Sequence, residues 1–529
     1  MTSHFLGKVP NTQDFERHAQ RDAHSKHWLP LLTSHQAPME NGGEAAKWRF
    51  GAVNPALQAA GRHNLRSLVH DLYDRLDKSD PRPVVPLGHG DPSAFACFRT
   101  AAAAEESVVA AAMSGKHNSY ARAAGVEEAR SAVAAHLSRE LPYEVTAGDV
   151  VITAGCNHAI EVMMAVLAAP GANVLLPRPG YPMYQSRASL CGLEFRNFDL
   201  LPAKGWEVDL DGVEAIADEN TVAMVIVNPN NPCGCVYSYD HLAERPQGSL
   251  ESLVISDEVY DHCTFGSKPF VPMGVFGEIA PVVTMGGISK RWMVPGWRLG
   301  WIAATDPRGI LREKKIIESV IGYRAISADP ATFIQGALPQ IIANTDKAFF
   351  ENAMNVLSEA AEICYQKLKE IECVTCPHKP EGSMFVMVKL DLSCLDGIHD
   401  DVDFCTKVAR EESVVICPGS GLGMKDWIRI TFAVDPPLLE DGLERIKSFC
   451  KRHSKPRRLT CQCPMGSIWV AAFRLVWRRG HILGWWGRRL NTILLEQLNT
   501  IEFVLLDYYC YYCCSSVVFF WNLPNSVHD

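Results

Sequence analysis

GGISKRWMVPGWRLGW, Gly286–Trp301, places Lys290 directly after an apolar run closed by glycines, and Arg298 beyond the turn formers Pro295 and Gly296. The run itself, VVTMGG (Val282–Gly287), is rich in β-branched residues and carries no charge, the pattern of a strand buried on both faces. Similar runs flank it: VVITAG (Val150–Gly155), NVLLPRPG (Asn173–Gly180), VAMVIVNPNNPCG (Val222–Gly234), SLVISDEVY (Ser252–Tyr260) and LGWIAA (Leu299–Ala304), separated by stretches of helical pattern. Strands of this kind predict an α/β fold, a mostly parallel sheet covered by helices on both faces, in a chain long enough for a second, smaller domain. Ligands of such sheets bind beyond the carboxyl ends of the strands. The polar residues at those ends are therefore the candidates for chemistry.

Asp257 follows the apolar LVIS; in isolation it reads as a turn cap. Asn231 lies in the rigid loop NPNNPCG, where asparagine by itself means a turn. Gly155, Cys156 and Asn157 follow VVITA and precede the amphipathic HAIEVMMAVLAA. Exposed backbone N–H groups at such a helix start suit a phosphate, although a glycine-ended strand before a helix is also routine architecture. Lys290 at the mouth of the sheet can form a Schiff base with a carbonyl cofactor if its amine is unprotonated. Partial burial and the neighbouring Arg291 are both expected to lower its pKa. Arg298 can hold a phosphate with two parallel hydrogen bonds. Lysine, phosphate cradle and buried aspartate together describe a pyridoxal phosphate site, in which the aspartate keeps the ring nitrogen protonated and the lysine carries the aldehyde and shuttles the proton.

Composition narrows the partners. A formal charge of −9 over 529 residues supplies no basic field for nucleic acid or an anionic membrane, which leaves small molecules. The cysteines of the main body are dispersed, as in a cytosolic protein with reduced thiols, and Cys373 and Cys376 form a lone CxxC without the second pair a zinc site needs. The first residues have no signal-peptide core, so the expected compartment is the cytoplasm. The polar stretch before Met39, extended to residue 46, reads as a disordered or non-native extension. From Lys455 the chain changes to a tail crowded with cysteine and tryptophan. Its run Phe503–Trp521 approaches bilayer length, but Asp507 and the many tyrosines fit a membrane span poorly. Within the main body HLAERPQGSLES interrupts an expected covering helix with Pro246 and Gly248, so that helix is expected to be short or broken, with residues 243–251 as a damaged segment.

The motifs PLGHGDPSAF, NSYARAAG, ITAGCNHAIEV, LLPRPGYPMY, VNPNNPCG, VISDEVYDH, GGISKRWMVPGWRLGW, DPATFIQGA, EGSMFVMVKLDL and CPGSGLGMKDWIRITFA resemble those of fold type I pyridoxal phosphate aminotransferases, in particular the tyrosine aminotransferase group with the plant nicotianamine aminotransferases. The resemblance runs from about Lys47 to about His453. It implies a three-layer α/β/α large domain over residues 104–350 and a smaller α+β domain built from 47–103 and 351–453, followed by the tail 454–529. It implies that Lys290 forms the aldimine and moves the proton, that Asp257 pairs with the pyridinium nitrogen, and that Asn231 and Tyr260 hydrogen-bond the phenolic oxygen. Tyr181 would stack on the ring. Arg298 and the Gly155, Cys156, Asn157 turn would hold the phosphate, with Tyr120 contributed by the other subunit of a homodimer. Arg429, which by itself reads as an edge-strand cation, would bind the substrate carboxylate with backbone around Gly90. The implied reaction is transfer of the amino group of an aromatic amino acid, tyrosine first, to 2-oxoglutarate. Nicotianamine as donor, carbon–sulfur lyase chemistry, and an inactive homologue remain as alternatives. Three departures stand out: Tyr120, Ala121, Arg122 where the family often has YAP, Gly287 where many relatives have serine, and GCNHAI for GCTQAI or GCSQAI.

Overall fold

The apolar runs all form strands, and they stop where glycine, proline and polar residues begin. The computed structural model describes residues 54–244 and 251–455. The N-terminal extension, the residues around Pro246 and Gly248, and the tail lie outside the described residues. In chain order the strands are β1 (Val85–Leu87), β2 (Val150–Thr153), β3 (Asn173–Arg178), β4 (Glu194–Leu201), β5 (Glu207–Val208), β6 (Thr221–Val227), β7 (Leu253–Asp257), β8 (Val282–Gly287), β9 (Gly300–Thr305), β10 (Val374–Thr375), β11 (Phe385–Leu390), β12 (Val414–Pro418) and β13 (Trp427–Thr431).

Eight of them make one sheet in the order β2-β9-β8-β7-β6-β3-β4-β5. The central pairs β8/β7, β7/β6, β6/β3 and β3/β4 are parallel, and β9 runs antiparallel to both neighbours. Both faces are apolar because both are covered. Val225, Ile255, Val283 and Met285 pack on one side against Ile160 and Met163 of the helix Cys156–Leu167. On the opposite side Ile152, Trp301 and Ala303 meet Leu338 and Ile341 of the helix Thr332–Asn344. Side chains alternating across a pleated strand require this two-sided cover.

The second sheet, β1-β12-β13-β11-β10, draws its strands from distant parts of the chain. Val85 and Leu87 pair in parallel with Val414 and Ile416. Long helices Lys347–Lys369 and Pro436–Arg452 add Leu357, Cys364, Leu443 and Ile446 to the core around its strands. Arg429 lies on β13, which is the central strand of this sheet and not an edge strand. Pairing on both sides is what carries its side chain inward, to 4% exposure.

Between β6 and β7 the covering helix is short, Tyr239–Ala243, as Pro246 and Gly248 predict. β7 is nonetheless held on both sides, Ile255 opposite Val225 and Val283, so the strand that ends in Asp257 is fixed by its neighbours.

Candidate active site

Lys290 follows β8 on the one-turn helix Ile288–Arg291, whose Ile288 and Ser289 are buried. Its ammonium donates to the carbonyl of Gly90, on the segment after β1. Burial pushes the pKa of the amine down to about 8; Asp91 and Cys263 oppose the shift, while Arg429 and Arg298 add to it. Arg291 is not among the causes, contrary to the sequence expectation. Its guanidinium turns away to Asp261 (Nη1 to Oδ2, 2.9 Å), and that carboxylate matches its charge.

Asp257 closes β7 and is 4% exposed. Its Oδ2 accepts from the hydroxyl of Tyr184 at 2.9 Å. Its Oδ1 accepts from the backbone N–H of Val259 (3.3 Å) and the thiol of Cys156 (3.6 Å). Burial raises the carboxyl pKa, and these donors pull it back. Tyr184 is the residue that sequence reasoning missed. The signal was in the quoted LLPRPGYPMY: two tyrosines at the start of the helix Met183–Cys191, of which Tyr181 drew attention and Tyr184 proves the more buried, at 1% exposure. The Tyr181 hydroxyl donates to Oδ1 of Asn157 at 3.1 Å.

Gly155 caps the helix Cys156–Leu167 at φ +79°, a conformation that favours glycine. A Cβ there would lie 2.5 Å from Nη2 of Arg298, so the guanidinium rests directly on this turn. Arg298, itself left-handed at φ +52°, donates to the carbonyls of Pro295 (2.8 Å) and Ala154 (3.1 Å). His158, the departure in GCNHAI, ties the same turn by accepting from the N–H of Ala154 at 3.1 Å. Gly287, the other departure, has a backbone reason. A Cβ would come 2.9 Å from the carbonyl of Leu299, so a serine would require β8 and β9 to move apart.

Arg429 completes the group. Its Nη1 donates to Oδ1 of Asn231 (3.1 Å) and its Nη2 to the carbonyl of Gly88 (3.0 Å), while the guanidinium lies 4.3 Å over the ring of Phe385. Its Nε is buried and has no protein partner. Tyr260, 3% exposed, stands edge-on to Phe385, with the Lys290 amine 5.9 Å from its ring centre. The fold therefore gathers Gly90, Gly155, Cys156, Asn157, Tyr181, Asn231, Asp257, Tyr260, Lys290, Arg298 and Arg429 at the carboxyl ends of the parallel strands. Tyr120 is apart from them, its side chain 97% exposed.

These residues fit a phosphorylated, ring-nitrogen cofactor. The glycine turn under Arg298 has room only for a residue without a side chain, the buried Asp257 carboxylate accepts only from neutral donors, and Lys290 carries an amine of lowered pKa, while the Arg429 Nε, a buried donor without an acceptor, is left for a substrate carboxylate. Comparison with known proteins agrees: the family model for aminotransferase class I and II matches residues 82–446. The chain belongs to that family. Nicotianamine aminotransferase 1 of Oryza sativa subsp. japonica is 56% identical over 79% of the chain and 86% of its own length. An S-alkyl-thiohydroximate lyase of Arabidopsis thaliana is 48% identical over 83% of the chain and 95% of its own length. The crystal structure of the tyrosine aminotransferase from Leishmania infantum superposes with a TM-score of 0.70 at 28% identity, covering 77% of the chain and all of that protein. The protein is thus a pyridoxal phosphate-dependent aminotransferase of fold type I, acting on amino and oxo acids. Among the described residues no helix is long and apolar enough to cross a membrane.

Proposed function

We propose that this aminotransferase exchanges the amino group of an amino acid with 2-oxoglutarate, with Lys290 as the proton-transferring base. The observation that carries the reading is the convergence of Lys290, Asp257, Arg298 and Arg429, four charged groups from separate elements: the helix after β8, the end of β7, the turn before β9, and β13 of the second sheet. Bound pyridoxal phosphate supplies an electron sink that acidifies the carbon bearing the amino group. Arg298 and the Gly155, Cys156, Asn157 turn hold its phosphate. Asp257 would keep its ring nitrogen protonated, Tyr181 would lie against the ring, and Asn231 and Tyr260 would donate to its phenolic oxygen. Arg429 would grip the substrate α-carboxylate with its fork, assisted by the backbone at Gly90, and the Lys290 amine would take and return the proton at the α-carbon. Tyr120, so fully exposed, reaches the phosphate of a second subunit in a homodimer.

Two donors are in contention. Tyrosine is the expectation from the motifs, and the aromatic wall of Phe385 and Tyr260 suits an aromatic side chain. Nicotianamine is supported by the relatives of that name from rice and barley, each 56% identical. The test is the visible spectrum of the purified protein with pyridoxal phosphate, before and after tyrosine or nicotianamine, beside a Lys290→Ala control. A yellow band that one donor bleaches, and that the control lacks, assigns that donor. Thiol or sulfide release from an added S-substituted cysteine conjugate, without bleaching of the band, supports carbon–sulfur lyase chemistry, and the absence of any Lys290-dependent band supports an inactive homologue.

A further inference from the structure

Asp257 has a buried carboxylate with no cationic side chain of the described residues in ion-pair contact with it, yet two side chains point hydrogens at it. The Tyr184 hydroxyl lies 2.9 Å from Oδ2 and the Cys156 thiol 3.6 Å from Oδ1, with the Val259 N–H also on Oδ1. Burial and the nearby Asp257 push the pKa of both Tyr184 and Cys156 far up, so both remain protonated and can only donate toward this carboxyl. Donors converging on both oxygens suit a carboxylate and disfavour a carboxylic acid, whose own proton would need an acceptor. A buried anion arranged in this way calls for a cation from outside the chain. The only one the reading above supplies is a protonated ring nitrogen.

We propose that Tyr184 is a positioning residue for Asp257: its hydroxyl holds the carboxylate ionised and aimed, and so sets how strongly the site binds a protonated heteroaromatic nitrogen. This rests on the assignment of Asp257 to the cofactor ring in the proposed function. Tyr184 is well suited to the task. It starts the helix Met183–Cys191, is packed in the core beneath the sheet, and its ring cannot swing away without opening that core.

The test compares two ligands of the apoprotein by fluorescence titration: pyridoxal phosphate and its carbon analogue, in which the ring nitrogen is replaced by CH. Tyr184→Phe removes one oxygen and leaves the packing. It is expected to weaken pyridoxal phosphate about tenfold, the scale of a hydrogen bond to a charged group, and to leave the carbon analogue unchanged. Equal weakening of both ligands, or of neither, would overturn the inference. In an Asp257→Asn background the same change is expected to leave pyridoxal phosphate affinity unmoved. A further loss there would show a packing defect and also count against it. If the unmodified protein itself bound the two ligands equally, the assignment of Asp257 to the ring nitrogen would fall, and this inference with it.

Discussion

A lysine can attack a carbonyl only through its neutral amine, and for Lys290 burial is what supplies that form near neutral pH. Because the amine is lowered to about 8, the neutral fraction is small at pH 6, half at the midpoint and dominant at pH 10. The rate at which apoprotein takes up pyridoxal phosphate covalently is therefore expected to rise with pH about a midpoint near 8. A midpoint close to that of an ordinary lysine would contradict the burial of the amine. At Arg429 geometry matters more than charge. Two of its nitrogens are engaged by Asn231 and Gly88, which fixes the plane of the fork, and a lysine would retain the charge and lose the paired contact. Arg429→Lys is expected to raise KM for both amino donor and 2-oxo acid by about ten- to a hundredfold, with a smaller change in kcat. Steady-state kinetics check this, and an unchanged KM for both substrates would remove Arg429 from the carboxylate site.

At the scale of the element, β7 carries an acid of each kind at its end. Asp257 faces the site, while Glu258 is turned the other way, its Oε1 accepting from the Ser256 hydroxyl and the Met273 N–H, both at 2.8 Å. Burial pushes the Glu258 pKa up to about 8. Between the ordinary glutamate value and that one the folded protein holds a proton the unfolded chain has released, so this residue makes stability fall as pH rises through the window. Glu258→Gln keeps the acceptor and has no proton to lose. Its unfolding free energy is expected to decline less between pH 5 and pH 8 than that of the unmodified protein, a difference on the order of a few kcal/mol read by denaturant titration at each pH, and parallel curves would refute it. The same strand shows what a sequence makes legible. β2, β3 and β6 to β9 could be read because they are buried on both faces and therefore continuously apolar. β4, whose Arg196, Asn197 and Asp199 interrupt the run, and the two-residue β5 lacked that signature. The pairing of β1 with β12 joins residues over three hundred positions apart and has no local signal; the same holds for the pairing of β13 with β11, about forty positions away, and that is why Arg429 read as an edge cation. Adjacent position misled at Arg291, because sequence neighbours on a helix point in different directions. Tyr184 escaped for the converse reason: its partner is far away in the chain and meets it only through the parallel strand order.

Across the described residues the site draws on both sheets, with Asp257 at the end of β7 and Lys290 on the helix after β8 from one and Arg429 from the other, while the Gly90 backbone meets the Lys290 amine. We propose that these sheets are the cores of a larger and a smaller domain, able to close on a bound substrate. Within one chain every proposed site residue takes part except Tyr120, and this exception makes the oligomer testable. In a two-fold dimer with Tyr120 donated across the interface, each site needs Lys290 from one chain and Tyr120 from the other. Lys290→Ala and Tyr120→Ala subunits, each impaired alone, are then expected to complement when unfolded together and refolded as a mixture. In a mixed dimer one site collects both defects and the other collects neither. With random pairing about half the dimers are mixed and carry one intact site of two, so activity should recover to about a quarter of the unmodified level. Each variant refolded separately is the control, and sedimentation of the mixture must show dimers. Recovery no greater than the average of the two separate variants would place Tyr120 outside its partner's site and remove the reason for treating the dimer as part of the catalytic unit.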